Sequence, residues 1–154
     1  MVAYEPPANA SPIVQTFAAY INALGAFDSE GISANLDDEA FEFNVLPQAM
    51  ATVKWKKQEY VAHLQETVFV TLNGGLSMTV HEIIEADNAL AVYLQTDGMS
   101  KLGTPFNNEY VFMVRFVPSK MPGELPKIGM CKVFGNSAFS RDFRAEEEKK
   151  KEAK

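Results

Sequence analysis

Residues 76–97 read LSMTVHEIIEADNALAVYLQTD, and this stretch decides the fold because it predicts two long strands joined by a tight turn. Asp87 and Asn88 tolerate the backbone conformations that a two-residue turn needs. They separate a first strand over 76–86 from a second over 89–97. The stretch therefore predicts an antiparallel hairpin.

The second strand of this hairpin has apolar side chains on both faces. One face carries Leu90, Val92 and Leu94, and the other carries Ala91, Tyr93, Gln95 and Asp97. Further strands over 109–117 and 128–136 complete a meander of four, and the first of these is also apolar on both faces. A sheet of this kind needs cover on each side. We expect helices on one side and a second copy of the chain on the other.

Three helices and one short strand are predicted upstream of the meander. A Ser-Pro start and a closing glycine define a helix over 12–25. A second helix fits 28–36 and a third fits 56–68, with an early strand over 40–45 between them. Helices gathered on one side of an antiparallel sheet define an α+β fold.

The length of 154 residues predicts one folded domain. We divide the chain into a flexible lead-in over 1–11, a single domain over 12–144 and a charged, solvated tail over 145–154. The tail contains four Glu and four Lys, so the net charge of -6 belongs to the rest of the chain. Without an apolar stripe, the tail is interpreted as a frayed extension.

Charge and composition exclude several kinds of partner. The acidic body has no cluster of Lys and Arg, so we expect neither nucleic acid nor an anionic membrane surface as a partner. No apolar run reaches the roughly 20 residues of a membrane helix. Cys131 is the only cysteine, and the first residues lack the features of a secretion signal, which together predict a cytoplasmic protein.

Three segments carry a resemblance to a known family. They are LGAFD at 24–28, LDDEAFEF at 36–43 and NNEYVFMVRF at 107–116, the last similar to a segment of fungal members. In this order and spacing the chain resembles the SnoaL-like family of the nuclear transport factor 2-like superfamily. The resemblance implies a cone-shaped, curved antiparallel sheet that packs against about three N-terminal helices and encloses a pocket.

The resemblance also implies a range of functions. Members include isomerases, cyclases, dehydratases and epoxide hydrolases that act on small, often polycyclic metabolites, whereas others only bind ligands or dimerise. Catalytic relatives have acidic residues at two positions that correspond to Asn44 and Asn136. An amide can orient and polarise a ligand, but it takes up no proton near neutral pH.

Two pairs of strand residues could act in such a pocket. Glu109 and Arg115 lie six residues apart and share a face, where Arg115 would hold a carbonyl or carboxylate and Glu109 would act as acid or base. Alternatively, they form an ion pair on the surface. Asp97 could act beside the phenol of Tyr93, or it could simply open the following turn.

The histidines and the single tryptophan have competing interpretations. His81 is the candidate for proton transfer near neutral pH. His63 lies between Glu59 and Glu66 on the polar face of the third helix and is interpreted as solvated. No cluster of metal ligands accompanies either histidine, so we expect no metal. Trp55 is either a lid of the pocket or a cap of the core.

The sequence thus predicts a protein that binds a small, largely apolar metabolite, with no cofactor, and acts as an isomerase, cyclase or dehydratase. The predicted catalytic residues are His81, Asp97 and Glu109, and the predicted ligand-binding residues are Asn44, Trp55, Tyr93, Arg115 and Asn136. The alternative is a non-catalytic module for ligand binding or homodimerisation. Both hypotheses include a homodimer formed through the sheet.

Overall fold

A computed structural model describes residues 2–50 and 54–154. Its elements are, in order, helices α1 (Pro12–Gly25) and α2 (Ser29–Ala34), strand β1 (Phe43–Leu46), a 3-10 turn (Gln48–Met50), helix α3 (Lys57–His63), a π-helical segment (Leu64–Val68), helix α4 (Phe69–Thr71), strands β2 (Ser77–Ala86), β3 (Ala89–Met99), β4 (Pro105–Val117) and β5 (Lys127–Gly135), and helix α5 (Ser137–Glu152). The predicted α+β class is confirmed.

The five strands form one curved sheet in the order β1-β5-β4-β3-β2. Strands β2 to β5 are the predicted antiparallel meander. Strand β1 pairs with β5 in parallel, from Phe43 opposite Cys131 to Leu46 opposite Phe134. The sheet is therefore mixed and not purely antiparallel, which is possible because a long connection separates β1 from β5.

The turn between β2 and β3 forms at the predicted residues. Asn88 has a φ of 54°, in the left-handed region that Asn tolerates. Strands β3 and β4 are longer than predicted because their connection is tight. The amide of Ser100 donates to the carbonyl oxygen of Thr104 over 2.8 Å, so pairing continues to Met99 and resumes at Pro105.

Helix α1 packs against the inner face of the sheet and supplies much of the core. Its cap is Ser11, whose hydroxyl accepts from the amide of Val14. Phe17 and Tyr20 are completely buried, and the ring of Phe17 meets that of Phe112 on β4 edge to face, at 6.0 Å between centroids. Such burial of large aromatic rings is the main stabilising contribution of the helix.

The outer face of the sheet stays bare in the single chain. Apolar side chains that are more than a third exposed follow one another across four strands: Ile84, Tyr93, Val111, Met113 and Phe134. Exposed apolar area of this extent on a sheet is typical of a surface that another protein covers.

Both ends of the chain contact the domain. The backbone of Tyr4 exchanges two hydrogen bonds with the side chain of Asn22, and the amide of Met78 donates to the carbonyl oxygen of Val2. Helix α5 continues to Glu152 through the segment expected to be a solvated tail. Glu147 is only 5% exposed there, and its burial gives the helix an anchor that a search for apolar stripes misses.

Candidate functional site

An inner cavity of about 470 Å³ lies between the helices and the inner face of the sheet. Most of its lining is apolar: Ile21, Leu24, Phe43, Val45, Trp55, Leu64, Val68, Leu76, Met78, Leu94, Phe106, Phe112 and Val133. A cavity of this size and character suits a small organic ligand.

A few polar side chains complete the lining of the inner cavity. They are Tyr60 and His63 from α3, Thr96 from β3, Tyr110 from β4 and Arg144 from α5. Among the described residues that line the cavity there is no carboxylate. The polar chemistry available to a ligand therefore consists of an imidazole, hydroxyls and a guanidinium.

The imidazole of His63 lies at the junction of α3 and the π-helical segment, an irregularity common at functional sites. Its ring stacks on Trp55 at 4.1 Å between centroids. Burial lowers the pKa of His63 below its ordinary 6.5, and Arg144 lowers it further, against an opposing effect of Glu66. His63 is therefore neutral at pH 7.

Thr67 contacts both the backbone and the ring of His63. The Thr67 hydroxyl donates its hydrogen to the His63 carbonyl oxygen over 2.6 Å. The same oxygen lies 3.4 Å from Nε2, so it can only accept the proton that Nε2 carries. In the tautomer that makes this hydrogen bond, the lone pair lies on Nδ1, which is then the basic atom of the ring.

Tyr110 presents a hydroxyl to the inner cavity as a hydrogen-bond donor. The Asn108 side chain, which is itself buried, donates from Nδ2 to the Tyr110 oxygen at 3.3 Å. Because this oxygen accepts from Asn108, its own hydrogen is free for another partner. Burial raises the pKa of Tyr110, so the phenol stays protonated.

Arg144 lies where the inner cavity adjoins two further hollows. One, the vestibule, has about 660 Å³ and is lined by Phe43, Val45, Leu46, Tyr110, Val133, Gly135, Ser137, Ala138, Ser140, Arg141 and Arg144. The other, the side cleft, has about 430 Å³ and shares His63, Val68, Phe106, Tyr110 and Arg144 with the inner cavity. His63, Tyr110 and Arg144 thus form a cluster around the mouth of the inner cavity.

Helix α5 carries Arg144 to this mouth. Phe106 on β4 packs edge to face against Phe139 and Phe143, at 5.5 Å and 5.1 Å between centroids. One turn after Arg144, the Glu147 carboxylate accepts from the hydroxyls of Ser100 and Thr104. These contacts fix the helix on the sheet.

Beneath the inner cavity lies a fully buried polar group. The hydroxyls of Tyr20 and Tyr60 are 2.5 Å apart, and Cys131 interacts with Tyr20. Burial raises the pKa of all three groups. Cys131 is therefore a protonated core residue and not a nucleophile.

The described part of the chain shows neither a metal centre nor a membrane span. It contains no group of three or more His, Cys, Asp or Glu side chains that could hold a metal ion. None of its helices has the length and apolar character needed to cross a bilayer.

Solved structures share this architecture over nearly the whole chain. BvnE pinacolase from Penicillium brevicompactum superposes with a TM-score of 0.74 at 10% identity, over 98% of each chain. A putative SnoaL-like polyketide cyclase from Shewanella denitrificans gives 0.67 at 14% identity, over 88% of this chain and 99% of the other. An NTF2-like protein of unknown function from Burkholderia pseudomallei gives 0.64 at 16% identity, over 84% and 94%.

The chain has the NTF2-like fold. The resemblance found in the sequence is confirmed at this level. No protein-family model matches the sequence, and a comparison with curated proteins gives no match. At such low identities the NTF2-like fold does not by itself assign a reaction.

Five of the predicted site residues lie on the outer face of the NTF2-like sheet and do not line the inner cavity: His81, Tyr93, Asp97, Glu109 and Arg115. On β4, Tyr110 and Phe112 point inward, so residues of odd number point outward. Glu109 and Arg115 share a face as predicted, but it is the outer face. The expectation that they point into the pocket is therefore wrong.

Three of these outer-face residues, His81, Tyr93 and Glu109, contact one another. The ring of His81 lies 4.7 Å from that of Tyr93, whose hydroxyl donates to Glu109 over 2.7 Å. The side chain of Gln95 donates to Asp97. The structure thus joins His81 and Glu109 through Tyr93, on the side of the sheet that faces away from the cavity, whereas Asp97 is bound by Gln95.

The remaining three predicted residues differ in their placement. Trp55 lines the inner cavity, as one of its two interpretations required. Asn44 is buried between Phe43 and Val45, which both line the cavity, so its side chain points to the opposite side of β1. Asn136 caps α5 by accepting from the amide of Phe139 over 3.2 Å.

Sequence reasoning missed His63, Tyr110 and Arg144. His63 follows the buried Tyr60 by three residues, a helical spacing that indicates a shared face. Because Glu59 and Glu66 lie on either side of His63, the pattern instead indicated a polar, solvated face. Arg144 lies beside a segment interpreted as a solvated tail, and nothing in the local pattern relates it to the cavity.

Proposed function

We propose that the protein binds a small, largely apolar metabolite in the inner cavity and isomerises, cyclises or dehydrates it without a cofactor. The observation that carries this proposal is the neutral imidazole of His63, which lies with the Tyr110 hydroxyl at the mouth of an apolar cavity. The pinacolase and polyketide cyclase among the structural neighbours support the same class of reaction.

Binding would rest on the apolar walls and on aromatic stacking. The rings of Trp55, Phe43 and Tyr60 form a continuous stack, with centroids 5.9 Å and 4.4 Å apart. A flat ring system of a ligand can pack against such a surface, and burial of its apolar area supplies affinity.

The proposed reaction begins with proton transfer from carbon to nitrogen. Nδ1 of His63 takes a proton from the carbon next to a ligand carbonyl group, the electron pair of that C–H bond forms a C=C bond to the carbonyl carbon, and the π pair of the carbonyl group moves to its oxygen. The Tyr110 hydroxyl donates a hydrogen bond to the oxygen as negative charge develops there. The guanidinium of Arg144 stabilises the same charge, and the imidazolium later returns the proton at another atom.

A non-catalytic ligand-binding protein is the second candidate. The observation in its favour is that none of the described residues lining the inner cavity is a carboxylate. In this case the same cavity would hold the metabolite without changing it.

Exchange of acidic C–H protons separates the two candidates. We expect the wild-type protein in D₂O to accelerate deuterium incorporation next to the carbonyl of 2-tetralone, measured by proton NMR. His63→Gln and Tyr110→Phe should each reduce this acceleration about 10- to 100-fold, because a base or a donor to the enolate is lost. His81→Gln, the matched change on the outer face, should leave it unchanged.

A second matched pair locates the reaction. Val133 lines the inner cavity, whereas Val111 on the neighbouring strand points outward. Val133→Phe should therefore suppress exchange, and Val111→Phe should not. If 2-tetralone quenches the fluorescence of Trp55 but exchange stays at the rate of buffer, the reaction proposal is wrong and the binding function is favoured.

We also propose that the protein is a homodimer formed through the outer face of the sheet. The exposed apolar side chains of β2 to β5 support this proposal. A cytoplasmic location is proposed as well, and the reduced, buried Cys131 fits it.

A further inference from the structure

We propose that the natural ligand is an amphipathic anion, with an apolar ring body in the inner cavity and a carboxylate or acidic enol against Arg144 and Arg141 at its mouth. This inference rests on the proposed function, because it concerns the ligand of the same cavity. It follows from the positive charge at the mouth of the cavity, which is opposite in sign to the net charge of the whole chain.

The two arginines line one continuous opening. Arg141 and Arg144 are three residues apart on α5 and both line the vestibule, which shares five lining residues with the inner cavity. The chain contains only three arginines, and its net charge is -6. Two of its three guanidinium groups thus lie at the entrance to an apolar cavity.

Both guanidinium groups have donors available for a ligand. Arg144 forms no ion pair with any residue in the described ranges 2–50 and 54–154. Arg141 contacts the adjacent Asp142 through Nε at 2.9 Å, but both side chains are about three quarters exposed, so the contact is weak. A guanidinium has five N–H donors in a planar fork that matches a carboxylate.

Acidic groups do not compensate this charge inside the opening. Neither the inner cavity nor the vestibule has a carboxylate among its described lining residues. In the side cleft, Glu147 is engaged by Ser100 and Thr104, and Glu148 pairs with Lys151 at 2.9 Å. The entrance therefore favours a negative group, whereas the rest of the acidic surface repels it.

The acidic group of the ligand would also determine how the ligand is oriented in the inner cavity. Arg144 and His63 both line the inner cavity and the side cleft, so the guanidinium charge lies close to the imidazole. An acidic group held by Arg144 would fix the ring body of the ligand with one end beside His63 and Tyr110. The arginines would thus determine both the affinity for the ligand and its orientation.

A pair of fluorescent probes with the same aromatic body tests this inference. 8-Anilinonaphthalene-1-sulfonate is an anion, and N-phenyl-1-naphthylamine is its neutral counterpart. We expect the wild-type protein to bind the anion more tightly, as shown by fluorescence titration. Arg144→Gln should weaken binding of the anion about tenfold, the effect of one charge-assisted hydrogen bond, and leave binding of the neutral probe unchanged. Arg144→Lys should restore part of the difference.

Arg115→Gln distinguishes the cavity from the outer face. It removes the same charge beside a shallow depression of about 230 Å³ on the outer side of the sheet. Loss of anion binding in this variant and not in Arg144→Gln would overturn the inference, as would equal affinity of the wild type for both probes.

The outcome for the neutral probe separates the two proposals. Equal affinity for both probes refutes the anion but leaves an apolar binding cavity intact. If neither probe binds, the inference and the binding step of the proposed function both fail. Thermal unfolding of each variant verifies that it is folded.

Discussion

The imidazole of His63 has neighbours that act on its charge in opposite directions. Burial and Arg144 disfavour the imidazolium, whereas Glu66 favours it, and the first two prevail. Burial is thus the main reason that the group stays a base at neutral pH, and a cation from another element of the fold adds to its effect. This arrangement can be tested without knowledge of the substrate.

We expect His63 to titrate below pH 6.5 in the folded protein. With His81→Gln as background, the chain contains one histidine, so a single imidazole signal can be followed by proton NMR. Arg144→Gln should raise the midpoint, because removal of a positive neighbour favours the imidazolium. Glu66→Gln should lower it, because removal of a negative neighbour has the opposite effect.

A general change of structure would not move the titration midpoint of His63 in opposite directions in these two variants. A midpoint at or above 6.5 in the folded protein, or shifts of the same sign in both variants, would contradict the assigned surroundings of His63.

Strand periodicity predicts which residues share a face but not which face is inside. Glu109 and Arg115 do lie on one side of β4, as their spacing requires. The direction could not be predicted because both faces of this strand are apolar: Tyr110 and Phe112 line the cavity, whereas alternate residues form the outer face. Only the positions of the helices decide between them.

At the scale of elements, α5 depends on one buried carboxylate. Burial raises the pKa of the Glu147 carboxyl group. Hydrogen bonds from Ser100 and Thr104, together with the charge of Lys150, lower it by more, so the pKa lies below its ordinary value of 4.5. A carboxyl group with a lowered pKa in the folded state stabilises the fold above its unfolded-state pKa, and this stabilisation is lost as the pH falls.

Glu147→Gln should therefore reduce the free energy of unfolding at pH 7 by about 1–2 kcal/mol, since one hydroxyl loses its charged acceptor. The difference from the wild type should shrink as the pH is lowered from about 5 to about 3, because the wild-type carboxylate is protonated there. Urea unfolding followed by circular dichroism measures both effects.

Glu148→Gln is the matched control on the same helix. The side chains of Glu148 and of its partner Lys151 are both about two thirds exposed. We expect a change below about 0.5 kcal/mol. A loss of stability as large as that of Glu147→Gln would show that Glu147 has no special role in anchoring α5, and a difference that does not shrink as the pH falls would contradict its lowered pKa.

Elements with local signals were predicted well, whereas α5 was not. The caps Ser11 and Asp28 define α1 and α2, and Asp87 with Asn88 defines the hairpin, because each acts through neighbouring backbone groups. Glu147 acts through a loop more than forty residues away in sequence. No local pattern contains that contact.

At the scale of the whole molecule, we expect a dimer in solution. Met113→Glu places a charge in the middle of the exposed apolar face and should convert the dimer into a monomer, because an unpaired charge is costly to bury. Light scattering coupled to size exclusion measures the mass. Val70→Glu changes an equally exposed apolar residue away from the sheet, on α4, and should leave the dimer intact.

A monomeric wild-type protein at micromolar concentration would contradict the proposed dimer, as would dissociation by both variants. The α+β class was predicted from the order of the elements, and the NTF2-like fold from the resemblance to a known family. The pairing of β1 with β5 and the composition of the cavity mouth were not, since both join residues that are distant in sequence.

Strand β4 carries two surfaces on alternate positions of the same 13 residues. Inward side chains such as Tyr110 and Phe112 line the cavity, and outward side chains such as Val111 and Met113 form the bare face. During evolution, substitutions at one set can alter the choice of metabolite while the other set preserves assembly. The inner and the outer surface can thus diverge independently within a single strand.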